Sequence, residues 1–92
     1  MKGDKTMQKY IPTRYAIVTD YIQDRDRTVK HETIYYKDEN GHPWEKVCID
    51  GETFGEPHFI YKVDTDKPYV RDYCRKWYIT DNHLAALRSL FE

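Results

Sequence analysis

Two thiols and an imidazole are the residues best suited to do chemistry in this chain, at the spacing Cys48-x9-His58-x15-Cys74, with His31 and His83 as further donors. Cysteine thiolate and neutral imidazole are the ligands zinc prefers, and a closed shell of two of each is structural rather than catalytic. The spacing lacks the close C-x2-C pairs of familiar zinc modules, so such a site depends on a fold that lays separate segments side by side. The commoner arrangement is blander: Cys48 and Cys74 as small buried thiols, because free cysteine is among the most buried residue types, and His58 as a satisfied polar residue. Cysteine catalysis also needs an oxyanion donor pair and a base within hydrogen-bond reach of the thiol. Cys48 with His58 offers only the second. With no phosphate loop, dinucleotide fingerprint or paired-carboxylate pattern, the chain is expected not to be an enzyme.

The elements that must position these residues are legible as an antiparallel sheet. Residues 15–22, Tyr-Ala-Ile-Val-Thr-Asp-Tyr-Ile, are β-branched and aromatic over a strand's length. Residues 29–37 form a second strand running into Asn40-Gly41, a strong hairpin signal, and 44–49 return as a third. After a longer turn over 50–57, residues 58–63 make a fourth strand. The stretch 69–79 is ambiguous, since Pro68 could open a helix while Tyr, Val, Trp and Ile favour a strand; it is taken as strand five. Thr80 or Asp81 can cap a helix over 81–91 with Leu84, Leu87, Leu90 and Phe91 on one side. The expected fold is therefore α+β: a four- to five-stranded antiparallel meander with one C-terminal helix packed on a face. Residues 1–13, polar and without periodicity, read as a flexible N-terminal arm, and 14–92 as a single domain.

Turn geometry then sets a register. A two-residue Asn40-Gly41 loop puts Ile34 opposite Val47 and Thr33 opposite Cys48. Turns centred on Thr53 and Asp66 extend the rows to Phe59 and Tyr73, and to His58 and Cys74. One face, Ile34, Val47, Phe59 and Tyr73, is the expected core under the helix. The other gathers Thr33 with Cys48, His58 and Cys74; the two cysteines and His58 are the expected zinc ligands, with His83 preferred to His31 as the fourth because it sits in the first helical turn. Flanking strands two spacings apart lie roughly 9.5 Å from each other, so twist or a bulge must bring the sulfurs together, and a Cys48–Cys74 disulfide is disfavoured.

Composition limits the partners. Fifteen basic residues nearly balance sixteen acidic ones, so no global field recommends nucleic acid or an acidic membrane. A chain of this size buries only about 60 to 65% of its unfolded surface, and its core must be thin. At 39% hydrophobic and 34% charged, it relies on nine tyrosines, three phenylalanines and two tryptophans for apolar area. No apolar run approaches the roughly 18 to 20 residues of a membrane helix, and a cytoplasmic location is expected.

Charge is nevertheless unevenly spread. Between Asp38 and Asp66 the acids Asp38, Glu39, Glu45, Asp50, Glu52, Glu56, Asp64 and Asp66 face only Lys46 and Lys62. In a meander, Asp38, Glu39, Asp64 and Asp66 gather at one tip, where they can meet a basic protein surface. A partly aromatic face carrying Tyr35, Trp44, Ile60 and Tyr78 supplies a contact patch, with Trp44 and Tyr78 as its anchors. The alternative is a nucleic-acid-binding module built on Arg71, Arg75, Lys76 and Trp77, which mix cations and rings as single-strand platforms do. In kind, the chain resembles the small phage-encoded anti-CRISPR proteins, through its size, its lack of a catalytic signature, its charge-rich aromatic sheet and its acidic centre. That resemblance implies an inhibitor of a nucleic-acid-handling enzyme such as a CRISPR nuclease, acting by protein contact that blocks DNA binding. It carries over no individual residue.

Overall fold

The computed structural model describes residues 10–61 and 66–91. Most of the arm expected over 1–13, and Asp64, lie outside the described residues. Two long strands, β1 (Tyr15–Asp24) and β2 (Arg27–Lys37), form a hairpin paired over its whole length, from Tyr15↔Tyr36 to Asp24↔Arg27. β3 (Pro43–Ile49) pairs with β2, and two short strands, β4 (Glu52–Thr53) and β5 (His58–Phe59), both pair with β3. β6 (Tyr69–Arg71) and β7 (Lys76–Tyr78) form a separate two-stranded sheet. The helix α1 (Asp81–Phe91) follows. The α+β architecture, the antiparallel meander and the single C-terminal helix thus agree with the sequence.

The register does not. Thr33 pairs with Val47 and Glu32 with Cys48, one residue away from the expected alignment. Asn40-Gly41 is not a two-residue turn, because the Asp38 carboxylate takes over the connection. Its Oδ1 accepts from the Asn40 and His42 amides at 2.9 Å each, its Oδ2 accepts from the Trp44 indole at 2.9 Å, and its own amide donates to the His42 carbonyl at 2.8 Å. A five-residue loop results, with Gly41 in the left-handed region at φ 83°. The tight turn falls instead at Asp50-Gly51, both at positive φ, where only those two residues separate the Ile49↔Glu52 pair.

Because side chains alternate, a one-residue slip exchanges the faces of β3 relative to β2. The helix covers Ala16, Val18, Thr33 and Tyr35, which are buried, rather than Ile34, Phe59 and Tyr73. Of the expected core row, Val47 alone shares the covered side with Thr33. The core joins Ala16, Val18 and Tyr35 to Ile60, Val70, Leu87 and Leu90, with Trp77, Ile79 and Ala86 packed against it.

The expected fifth strand breaks in two at Asp72, for the same reason that the 38–42 loop forms. The Asp72 carboxylate accepts from the Cys74 and Arg75 amides at 2.8 and 2.9 Å and so turns the chain. These bonds hold its carboxyl below the ordinary range, with desolvation opposing and the nearby Arg75 and His58 assisting. At the helix start, the Thr80 carbonyl accepts from the Leu84 amide, while Thr80 Oγ1 accepts from the His83 amide at 3.4 Å. Leu84, Leu87 and Leu90 are buried as their spacing predicts, but Phe91 stays exposed with Lys37 Nζ over its ring at 4.8 Å. Arg14 hydrogen-bonds the last-turn carbonyls of Ser89 and Leu90, where a cation is favoured. No helix among the described residues is long and apolar enough to cross a membrane.

Candidate functional site: an aromatic row on the open sheet face

The uncovered face carries a row of rings that the register aligns in one line across four strands. Tyr15 on β1 pairs with Tyr36 on β2, Tyr36 with Trp44 on β3, and Trp44 with Phe59 on β5. Cross-strand neighbours on one face sit close enough for their rings to touch. The Tyr15 and Tyr36 centroids are 6.0 Å apart, and Trp44 and Phe59 meet edge-on at 5.5 Å. The row continues beyond the sheet, since Tyr73 stacks on Phe59 at 5.8 Å and meets Tyr61 at 4.6 Å, with Arg71 over Tyr61.

Beside it, Ile17 pairs with Ile34 and Ile34 with Lys46, so apolar surface persists along the same face. Tyr15, Ile17 and Tyr73 are each at least half exposed, at 50%, 53% and 70%. A cleft of about 690 Å3 opens over the first half of the row, lined by Tyr10, Pro12, Tyr15, Tyr36, Trp44 and Pro57, with Asp38, Glu39, Asn40 and Lys46 on its rim.

Electrostatics at the rim is set by Asp38. Desolvation works to raise its pKa, but the Trp44 indole, the His42 and Asn40 amides and the nearby His42 ring outweigh it and hold the carboxyl low. The bond to Trp44 also fixes one ring of the row. Burial, then the neighbouring Tyr15 and the charge of Asp38, push the Tyr36 phenol up. Glu39 is exposed at the same rim.

The expected zinc ligands are not brought together. Cys48 is buried on the open-face side, paired with Glu32 and Thr53, whereas His58 pairs with Glu45 and belongs to the opposite face. Cys74 is exposed at the tip of the β6–β7 hairpin. His83 lies against Thr80 at 2.6 Å and Thr33 at 3.3 Å, with its ring edge-on to Tyr35. Among the described residues no three His, Cys, Asp or Glu side chains form a metal-holding group.

The expected contact patch is divided in the same way. Tyr35 and Ile60 are fully buried, Trp44 is on the aromatic row, and Tyr78 is 71% exposed on β7 against Tyr69. Of the acidic tip, Asp38 and Glu39 share the cleft rim and Asp66 is exposed. β5 leaves the sheet at that end, where the Ile60 amide donates to the Pro43 carbonyl.

The basic segment is a hairpin instead of a strip, with Arg71 opposite Lys76. Each cation already covers a ring: Arg71 lies over Tyr61, Arg75 over Trp77 at 5.3 Å, and Lys76 over Tyr69 at 4.6 Å. Trp77 is half-buried, and its indole donates to Glu45 at 3.3 Å.

Of the row residues, Tyr15 and Tyr36 were not singled out from the sequence, and Phe59 and Tyr73 were expected in the core under the helix instead. The missing signal was Asp38 as a loop anchor, since a five-residue connection aligns Tyr36 with Trp44. Comparison with known proteins adds no identity: no family model, curated protein or solved structure matches the chain.

Proposed function

We propose that the chain is a non-enzymatic binding protein that presses the Tyr15–Tyr36–Trp44–Phe59 row onto a basic surface of a partner protein. The partner class is a nucleic-acid-handling enzyme such as a CRISPR nuclease, whose DNA binding it blocks. The observation that carries this reading is the cross-strand alignment of partly exposed rings on a sheet face that the helix leaves bare. Rigid aromatic side chains are the usual anchors of protein interfaces. Asp38 and Glu39 at the rim favour a cationic partner over a polyanion, which is why the row is assigned to protein and not to stacked bases.

The test uses purified nucleic-acid-handling enzymes, CRISPR nucleases included, with loss of target-DNA binding as the readout. The wild-type chain is expected to displace DNA from one of them, Tyr36→Ala and Trp44→Ala to release the enzyme faster, and Asp38→Lys with Glu39→Lys to slow association. Binding of fluorescent single-stranded oligonucleotides that is lost in Trp44→Ala and weakens steeply with salt would overturn the reading in favour of nucleic acid.

A further inference from the structure

The closed side of the sheet holds a second cleft, separate from the aromatic row. Glu45 points to the helix-side face and is the one buried charged side chain among the described residues, 7% exposed. A carboxylate removed from water is costly unless it is paired. It accepts from the Trp77 indole at 3.3 Å, a neutral donor, and no cation among the described residues forms an ion pair with it. The cleft it lines, about 300 Å3, is walled by Val47, Phe54, Trp77, His31 and His58, with Arg75 at its edge.

The neighbouring Tyr35 hydroxyl is a second sign. The residue is fully buried, and its oxygen has no hydrogen-bond partner by geometry. Burial first, then the charge of Glu45 and the pull of its carboxylate on the hydroxyl proton, push this phenol far above its ordinary range. Two polar groups are therefore sealed together beneath a solvent-connected cleft with their hydrogen-bonding capacity only partly used.

We propose that this cleft is a binding site for a guanidinium group, with Glu45 as counter-ion and Trp77 and Phe54 as its flat apolar walls. The buried Glu45 carboxylate disfavours an anion, and although His31 and His58 also line the cleft, among the described residues no three such side chains converge into a group that could hold a metal ion. A planar organic cation fits both the carboxylate and the indole. The molecule already demonstrates half of the recognition, because the Arg75 guanidinium lies over the Trp77 ring at 5.3 Å while its Nε faces Asp72 at 3.8 Å, and it forms no ion pair with Glu45. An incoming guanidinium completes what Arg75 does not.

The experiment is a titration with N-acetyl-arginine amide, following the Trp77 indole N–H signal by NMR, with N-acetyl-citrulline amide as the neutral isostere. Saturable binding of the arginine compound is expected, with citrulline weaker by about tenfold or more, the worth of a charge-assisted hydrogen bond. Glu45→Gln, checked for an unchanged circular dichroism spectrum, is expected to lose a similar factor. Should that variant fail to fold, the comparison of the two compounds on the wild-type chain still decides. Equal binding of arginine and citrulline amides, or no saturation in the millimolar range, overturns the site. Tighter binding of an arginine within a short neutral peptide assigns the occupant to a protein side chain, and equal binding to a free small molecule; both sustain the guanidinium site.

Discussion

The two faces of this sheet are made by alternate residues of the same strands, yet they end in opposite conditions. Tyr35 and Tyr36 are neighbours on β2. The first is sealed under Leu87 and Leu90, and the second lies in an open row between Tyr15 and Trp44. Composition does not distinguish the faces, since both are aromatic and apolar. What separates them is a single short helix, long enough to cover β1 and β2 on one side and nothing on the other. The lesson is that in a thin domain the same residue type is core or contact surface according to the parity of its position.

That contrast is tested most strongly by truncating matched rings. Tyr35→Ala opens a cavity in the closed layer and is expected to cost about 3–5 kcal/mol. Phe59→Ala, on the half-exposed row, is expected to cost about 1–2 kcal/mol, since much of its area is in solvent already. Tyr35→Phe removes only a hydroxyl that makes no well-formed hydrogen bond and is expected to change stability by less than about 1 kcal/mol. Urea melts of the three variants check the order. A Phe59→Ala loss as large as that of Tyr35→Ala would erase the distinction between the faces.

The next effect concerns the loop that decides the parity. Asp38→Ala removes the acceptor for two amides and the Trp44 indole and is expected to cost about 2 kcal/mol. Because the Asp38 carboxyl is held low in the folded chain, its contribution is fully present above the ordinary carboxylate value of about 4 and is lost as pH falls through the lower folded value. Wild type and Asp38→Ala should therefore converge in stability on acidification below about pH 4. A stability gap that widens as pH falls would contradict this assignment.

Much of the fold was legible because it is local. The β-branched run 15–22, the leucines at 84, 87 and 90 and the cap at Thr80 each specify their element without help from the rest of the chain. The register was not legible, because it hangs on one side chain's choice. Asn40-Gly41 advertises a two-residue turn, while Asp38 three residues before Gly41 offers the backbone a better set of acceptors. Asp72 similarly broke the expected fifth strand, where β-propensity alone argued for continuity. The candidate site inherited both errors. Cys48 and His58, aligned on paper, lie on opposite faces, and only Trp44 of the expected aromatic patch belongs to the observed row. Buried Glu45 carries no sequence mark, since nothing distinguishes it from the exposed acids around it.

The smallest expected change in stability is also the sharpest test of the open face as a working surface. Tyr73 is 70% exposed at the end of the row, held by stacking on Phe59 and by contact with Tyr61. Its neighbours are rings already anchored by the sheet, and the turn beneath it is fixed by the Asp72 carboxylate, so little of the fold depends on it. Tyr73→Ala is expected to change stability by no more than about 0.5 kcal/mol, as ordinary surface substitutions do. Exposed rings at an interface act mainly on dissociation, so the same substitution is expected to speed release of the partner while leaving association nearly unchanged. Surface plasmon resonance with a melt of the same sample separates the two quantities. A variant that loses stability without altering release would place Tyr73 in the scaffold, and the open face would then end at Phe59.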